Sequence, residues 1–248
     1  MIKFENTEVM GWEAAIRGMR NPMNSWEKSD SDFVETVLAD PNDSYGPEYV
    51  RSCLRIGPND LDLMKRLRNA GTDHRKFMRM ITVYVDITAP LYWWKEFDTY
   101  KVGTVANSCS TMHKIHANEF TLEDFSCEHL SDDVIEKPFK DIINCLNFFR
   151  GLYIQHHDKS DWYQMIQLLP SSYNQKRTVM LNYEVLANIY KSRKNHKLDE
   201  WRLHTEEMTD IDSTSQAKYA KPSNTAIGFC NWIETLPYSE LITGLKNE

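Results

Sequence analysis

Three groups of residues in this chain have the types and spacing that chemistry needs. Cys109, His113 and His116 recur at i, i+4 and i+7, so on a helix they would share a face and offer a thiolate and two imidazoles to a metal ion. No fourth ligand is evident, and a stripe of small and polar groups against a neighbouring element is the commoner use of such a pattern. Arg17, Arg20, Asn21 and Ser25 gather hydrogen-bond donors at the junction of a helix and a turn. The planar fork of arginine suits a phosphate there, against the plainer reading of a solvated basic helix end. Asn182 and Arg193 stand eleven residues apart, about three turns if one helix carries both, so they would project from nearly one face and could grip a phosphorylated or uracil-like ligand. Spacing alone favours ordinary exposed polar residues on a surface helix. His156-His157-Asp158 falls where a helix should end, and caps or cations there need no chemistry.

The elements that must position these residues can be read from periodicity. Trp12 to Arg17 reads as helix, Asn21-Pro22 as a turn, and the acidic stretch from Glu27 to Asp43 as loop. Asn59-Asp60 can cap a helix over Leu61 to Asn69, with Leu63, Met64 and Leu67 on one face and Gly71 at its end. From Met80 to Thr88, Ile81, Val83, Val85 and Ile87 alternate with Thr82, Tyr84, Asp86 and Thr88, which predicts a strand in an antiparallel sheet. Pro90 stops it, and Leu91-Tyr92-Trp93-Trp94 opens an aromatic element suited to a core, a pocket or a subunit contact. Helical period recurs from Pro138 to His157 and from Arg177 to Asn195, and helical character continues over Leu198 to Ile211. A polar loop from Ser213 to Ser223 then leads to a short closing helix around Asn231. With no βαβ alternation, the expected class is α+β: a small antiparallel sheet packed with long amphipathic helices.

Composition limits what such a scaffold can do. The 248 residues carry 36 acids against 29 bases, a net charge of −7, which is the wrong sign for a surface that tracks nucleic-acid backbone and leaves only a local basic pocket possible. Five widely spaced cysteines with no Cys-x-x-Cys pair read as free thiols. No run of eighteen apolar residues and no signal-like start appear, so a soluble, cytoplasmic protein is expected. Nucleotide-loop, nucleophile-elbow and His-Glu-x-x-His motifs are absent.

Ordered similarity to one family emerges from the strand onward. Ala89-Pro90 followed by Leu91-Tyr92, then Leu169-Pro170, Leu181-Asn182 and Ser192-Arg193, resemble the pattern of the flavin-dependent thymidylate synthases. The resemblance covers roughly residues 60 to 245, so residues 1–50 are expected to be a diverged or added segment and 51–248 the synthase-like domain, the whole forming one compact unit. The family's signature, Arg-His-Arg-x-x-Ser-x-Asn-Glu-x-Ser-x-Arg-Tyr, is eroded. Thr99-Tyr100-Lys101 stands for Arg-His-Arg and Thr104 for the first Ser. With one residue inserted, Asn107-Ser108-Cys109-Ser110 faces Asn-Glu-x-Ser, and Met112 and His113 face the Arg and Tyr. Phe77 is followed by Met78-Arg79 where the family has a flavin-contacting His.

The resemblance implies methylation of dUMP or a related deoxypyrimidine nucleotide by methylenetetrahydrofolate and reduced FAD, with NADPH as a family co-substrate, in a homotetramer. It makes Arg193 the catalytic residue that binds and polarises the pyrimidine. Asn107, Ser108 and Ser110 become nucleotide contacts, to which the donor cluster adds Arg20. Arg79, Tyr100, Lys101, Thr104 and Asn182 become flavin contacts, and no metal is implied. The alternative is a protein of the same fold that binds or sequesters a nucleotide without turnover.

Overall fold

The computed structural model describes residues 2–38, 49–204 and 228–244. The expected class is observed. Strand β1 (Lys3–Met10) leads into helix α1 (Trp12–Arg20). The acidic stretch read as loop contains instead β2 (Asp32–Leu38), paired antiparallel with β3 (Tyr49–Arg55) in a two-stranded ribbon; residues 39–43 of that stretch lie outside the described residues. Phe33, Val34, Thr36 and Val37 favour extended chain, and this outweighs the acidic neighbours that suggested a loop. Helix α2 (Pro58–Asn69) starts slightly earlier than expected, with Pro58 at a first-turn position where its missing N–H costs nothing. Its first turn is capped from outside, because the Asp30 carboxylate accepts from the N–H groups of Asn59 (2.9 Å) and Asp60 (3.0 Å).

After a 3₁₀ turn (Arg75–Met80) comes β4 (Thr82–Pro90), where Val83, Val85 and Ile87 are buried along with Ile81 just before it, as the alternation predicted, and Ala89 continues the buried side. Helix α3 (Leu91–Phe97) begins directly after Pro90. Trp93 and Trp94 are completely enclosed in this chain's own core, so a subunit contact is not their use. Strand β5 (Val105–Ser108) follows; later a helical turn, α4 (Asp132–Val134), passes through a π-type stretch into α5 (Lys140–His156). His157 adopts a left-handed conformation (φ 54°) that ends α5, and the Asp158 carboxylate accepts from Ser160 N–H to start α6 (Lys159–Leu168).

The helix expected over Arg177 to Asn195 is in fact two elements, β6 (Asn174–Asn182) and α7 (Tyr183–Arg193). Gln175, Val179 and Leu181 alternate inward, a period of two that the apolar run Val179-Met180-Leu181 disguised as helical. Short helices α8 (Phe229–Glu234) and α9 (Glu240–Thr243) close the fold, the first of them at the expected place around Asn231.

The sheet runs β1-β4-β6-β5, every pair antiparallel. Its inner face packs with α1, α3, α7 and α8 in one cluster that draws Ile2, Ala15, Ile16 and Met19 into the same core as Trp93, Leu186 and Phe229. The core therefore runs straight across residue 50. A smaller cluster around Phe125, Phe139, Leu146 and Met165 lies under α5 and α6. Among the described residues, no helix is long and apolar enough to cross a membrane.

Candidate functional site

Helix α7 joins the residues of interest, one group at each end. At its start, Asn182 keeps extended backbone (φ −137°, ψ 164°) and its side-chain oxygen accepts from Val185 N–H at 3.0 Å, which ends β6 and begins the helix. The same amide donates to Gly103 O at 3.4 Å. Gly103 has φ +75°, and a Cβ there would meet Asn182 Nδ2 at 2.8 Å, so glycine lets the 101–104 loop lie directly on this helix end. Thr104 Oγ1 donates to Tyr100 O and closes the loop, while Lys101 is exposed. Glu184, in the first turn, is buried and receives both Arg79 Nε and Arg75 Nε, and Arg75 also donates to Asn188 at 3.0 Å. An acid in the first turn complements the positive helix end.

At the other end, Arg193 donates from Nε to Tyr100 Oη (2.7 Å) and pairs through one terminal nitrogen with Glu96 Oε2 (2.6 Å). That nitrogen is also 2.8 Å from His196 Nε2. The guanidinium lies 4.9 Å from the centre of the Trp201 ring, which stacks on Trp93 at 4.4 Å. Cation–π attraction and the ion pair together fix its plane. Asn182 and Arg193 thus do not share a helical face. Asn182 precedes the helix and Arg193 ends it, about 16 Å apart along the axis at 1.5 Å per residue.

The other predicted residues fall elsewhere. Asn107 and Ser108 are exposed on β5, the edge strand, opposite Thr178 and Arg177 of β6. Ser110 Oγ accepts from the N–H groups of Met112 (3.2 Å) and His113 (2.8 Å) in a tight turn. Because residues 109–116 turn rather than coil, the common face of Cys109, His113 and His116 does not form. Arg20 points inward: its Nε meets Asp60 Oδ1 at 2.7 Å, and its terminal nitrogens reach Ser25 O (3.1 Å) and Lys28 O (2.9 Å). The cluster of Arg17, Arg20, Asn21 and Ser25 is therefore no anion cradle, since its main donor is 4% exposed and bonded within the chain.

Glu96, His196 and Arg177 are neighbours that sequence reasoning missed. Arg177 covers the Trp94 ring (4.1 Å) and pairs with Asp98 (2.7 Å), so the end of α3 is held by Arg177 on one side and Arg193 on the other. Glu96 and Arg193 are 97 positions apart, and no local period could connect them.

The start of α7 offers two cations that an anionic nucleotide could meet, of which Arg79 is already paired with Glu184 and Lys101 is exposed. Arg79 is about 60% exposed, and the 101–104 backbone is held close by the lack of a side chain at Gly103.

Helices packed on a four-stranded antiparallel sheet, with β4 running straight into the aromatic helix α3, make a fold that solved structures share. Two crystal structures of thymidylate synthase X from Helicobacter pylori, each with FAD and dUMP, resemble this chain with a TM-score of 0.59 and 15% identity over 98% of both chains. No protein-family model and no curated protein sequence matches the chain.

Proposed function

We propose that this protein is a divergent flavin-dependent thymidylate-synthase-like enzyme acting on dUMP or a related deoxypyrimidine nucleotide. The observation that carries the reading is the whole-length likeness to structures holding FAD and dUMP. Bound reduced FAD would supply the hydride and methylenetetrahydrofolate the carbon, with NADPH restoring the flavin. The chain's own part is to bind and polarise. Arg193, its plane set by Tyr100, Glu96 and Trp201, would hold the pyrimidine and favour its electron-rich form. Arg79, Lys101, Thr104, Tyr100 and Asn182 would hold the flavin nucleotide, and Asn107, Ser108 and Ser110 the nucleotide phosphate. This reading also calls for a homotetramer in which subunits complete one another's sites, working in the cytoplasm.

A second reading is favoured by one observation: the Arg193 guanidinium is already held by Glu96 and Tyr100. A protein of this fold that binds a nucleotide without turnover would leave it so. The two readings separate on purified protein. A yellow protein that forms dTMP from dUMP, methylenetetrahydrofolate and NADPH supports the enzyme. A colourless protein that binds dUMP in calorimetry but forms no dTMP supports the binding module, and failure to bind either FAD or dUMP overturns both.

A further inference from the structure

The turn that follows α7 brings a second polar side chain to Arg193. His196 N–H donates to Arg193 O at 2.9 Å, which folds residue 196 back onto the arginine it follows. Leu198 N–H in turn donates to His196 Nδ1 at 3.2 Å, and Trp201 N–H to Leu198 O at 3.1 Å, so the ring is fixed by the backbone of its own turn. Its plane stands at 71° to the Trp201 indole, 6.4 Å away between centres.

Nε2 of this ring lies 2.8 Å from a terminal nitrogen of Arg193 and 3.4 Å from Glu96 Oε2. A neutral imidazole has one N–H and one lone pair. Two donors, Leu198 N–H and the guanidinium N–H, therefore compete for a single acceptor. Leu198 N–H has no other acceptor among the described residues, whereas the guanidinium nitrogen already has Glu96 Oε2 at 2.6 Å. Stranding a part-buried backbone N–H costs more than giving up an extra contact of a cation that is already paired, so Nδ1 keeps the lone pair and the hydrogen sits on Nε2. Arg193 and His196 then face each other as two donors, with Glu96 Oε2 in reach of both.

This arrangement makes the carboxylate movable. The Glu96 backbone is pinned, because Thr99 N–H (3.1 Å) and Thr99 Oγ1 (2.7 Å) both donate to Glu96 O, but the side chain is part-exposed and has a choice of donors. With Glu96 on the guanidinium, two N–H groups crowd each other. With Glu96 on His196, the imidazole is paired and the guanidinium is open to a ligand oxygen.

We propose that His196 is a positioning residue for nucleotide binding, its Nε2–H receiving the Glu96 carboxylate when a pyrimidine oxygen displaces it from Arg193. This role rests on the reading of Arg193 as the pyrimidine contact. No proton changes hands; one hydrogen bond to Glu96 replaces another. Without the ring, a ligand must part the ion pair with only water to receive the carboxylate, and a ligand shifts such an equilibrium only by its differential affinity for the two states.

Calorimetry with dUMP on the full-length protein tests this. His196→Leu should weaken binding by about tenfold, through loss of one hydrogen bond to a charged group. His196→Gln, whose side-chain N–H can reach the same carboxylate, should recover most of that loss. In a Glu96→Ala background, where no carboxylate has to be received, His196→Leu should change affinity by less than about twofold. Equal binding by wild type and His196→Leu, a His196→Gln variant as weak as His196→Leu, or an undiminished loss in the Glu96→Ala background would each overturn the proposal while leaving Arg193 as the nucleotide contact. If the wild-type protein binds no dUMP, the proposed function falls and this role with it. Nitrogen NMR of the wild-type imidazole at alkaline pH needs neither ligand nor variant: a ring bearing its hydrogen on Nε2 is expected, and a hydrogen on Nδ1 overturns the assignment.

Discussion

Two arginines that the sequence marked for a ligand, Arg20 and Arg193, each meet a carboxylate, yet they sit in opposite settings. The Arg20–Asp60 pair is enclosed, with side chains 5% and 0% exposed, and Asp60 also accepts from Ser29 Oγ (2.6 Å) and Ser31 Oγ (2.6 Å). The Arg193–Glu96 pair is at an edge, 18% and 34% exposed, with an aromatic ring under the guanidinium. In the first case every partner comes from the chain and the arginine fastens α1 to α2. In the second the ion pair borders solvent, where a ligand could replace the carboxylate. What separates a structural arginine from a candidate site is thus the supply of partners around it, which residue type and spacing do not report.

The sharpest way to break this contrast is Asp60→Asn, which leaves Arg20 charged in the core. It should lower stability by about 3–5 kcal/mol in denaturant unfolding; a loss below about 1 kcal/mol would show the pair to be as dispensable as a surface one. The pH dependence has a fixed sign. Burial opposes the Asp60 charge, but hydrogen bonds from Ser29, Ser31 and Arg20 and the Arg20 charge outweigh it and hold the carboxyl below its ordinary value. Its contribution is therefore complete above an ordinary aspartate pKa of about 3.9 and is lost as the pH falls below that through the folded value. The variant should lack this acid-side loss in melts taken between neutral pH and about pH 3.

A smaller effect is expected at the edge pair. Arg193→Lys keeps the charge but removes the fork, so dUMP affinity by calorimetry should fall by about one to two orders of magnitude, with stability changing by less than about 1 kcal/mol. Unchanged binding would return Arg193 to the same structural class as Arg20. Asn182→Ala, at the opposite end of α7, should cost about 1 kcal/mol of stability through the lost cap. If thermal melts show no change, the cap and its tie to Gly103 are incidental. The smallest expected change is Glu96→Gln. Stability should drop by less than about 1 kcal/mol for so exposed a pair, and dUMP should bind at least as tightly because the guanidinium is released. A fall in affinity would instead make Glu96 the group that positions Arg193.

Much of the fold was legible. Strict alternation gave the strand at Met80 to Thr88, and apolar spacing gave the helices at 61–69 and 138–157, since these patterns record which side of an element faces the core. Where one element passes directly into another, the local signal failed. From Arg177 to Arg193 the chain changes from period two to period 3.6 at Asn182, and a single window over both reads as one helix. The pairing of Asp32 to Leu38 with Tyr49 to Arg55 was likewise hidden, because ribbon pairing depends on a partner and not on the acidic composition of one strand.

The candidate site divides in the same way. Residue types and spacing marked Asn182 and Arg193, and the family resemblance, carried by the order of motifs, added Tyr100. Only the tertiary structure decided that Tyr100 meets Arg193, that Glu96 and Trp201 set its plane, that Arg20 turns inward, and that Trp93 and Trp94 serve the core. The reason is physical. Local sequence fixes backbone preference and which face is apolar over a few residues, whereas the partner of a charged or aromatic side chain is set by contacts between elements that can lie nearly a hundred residues apart.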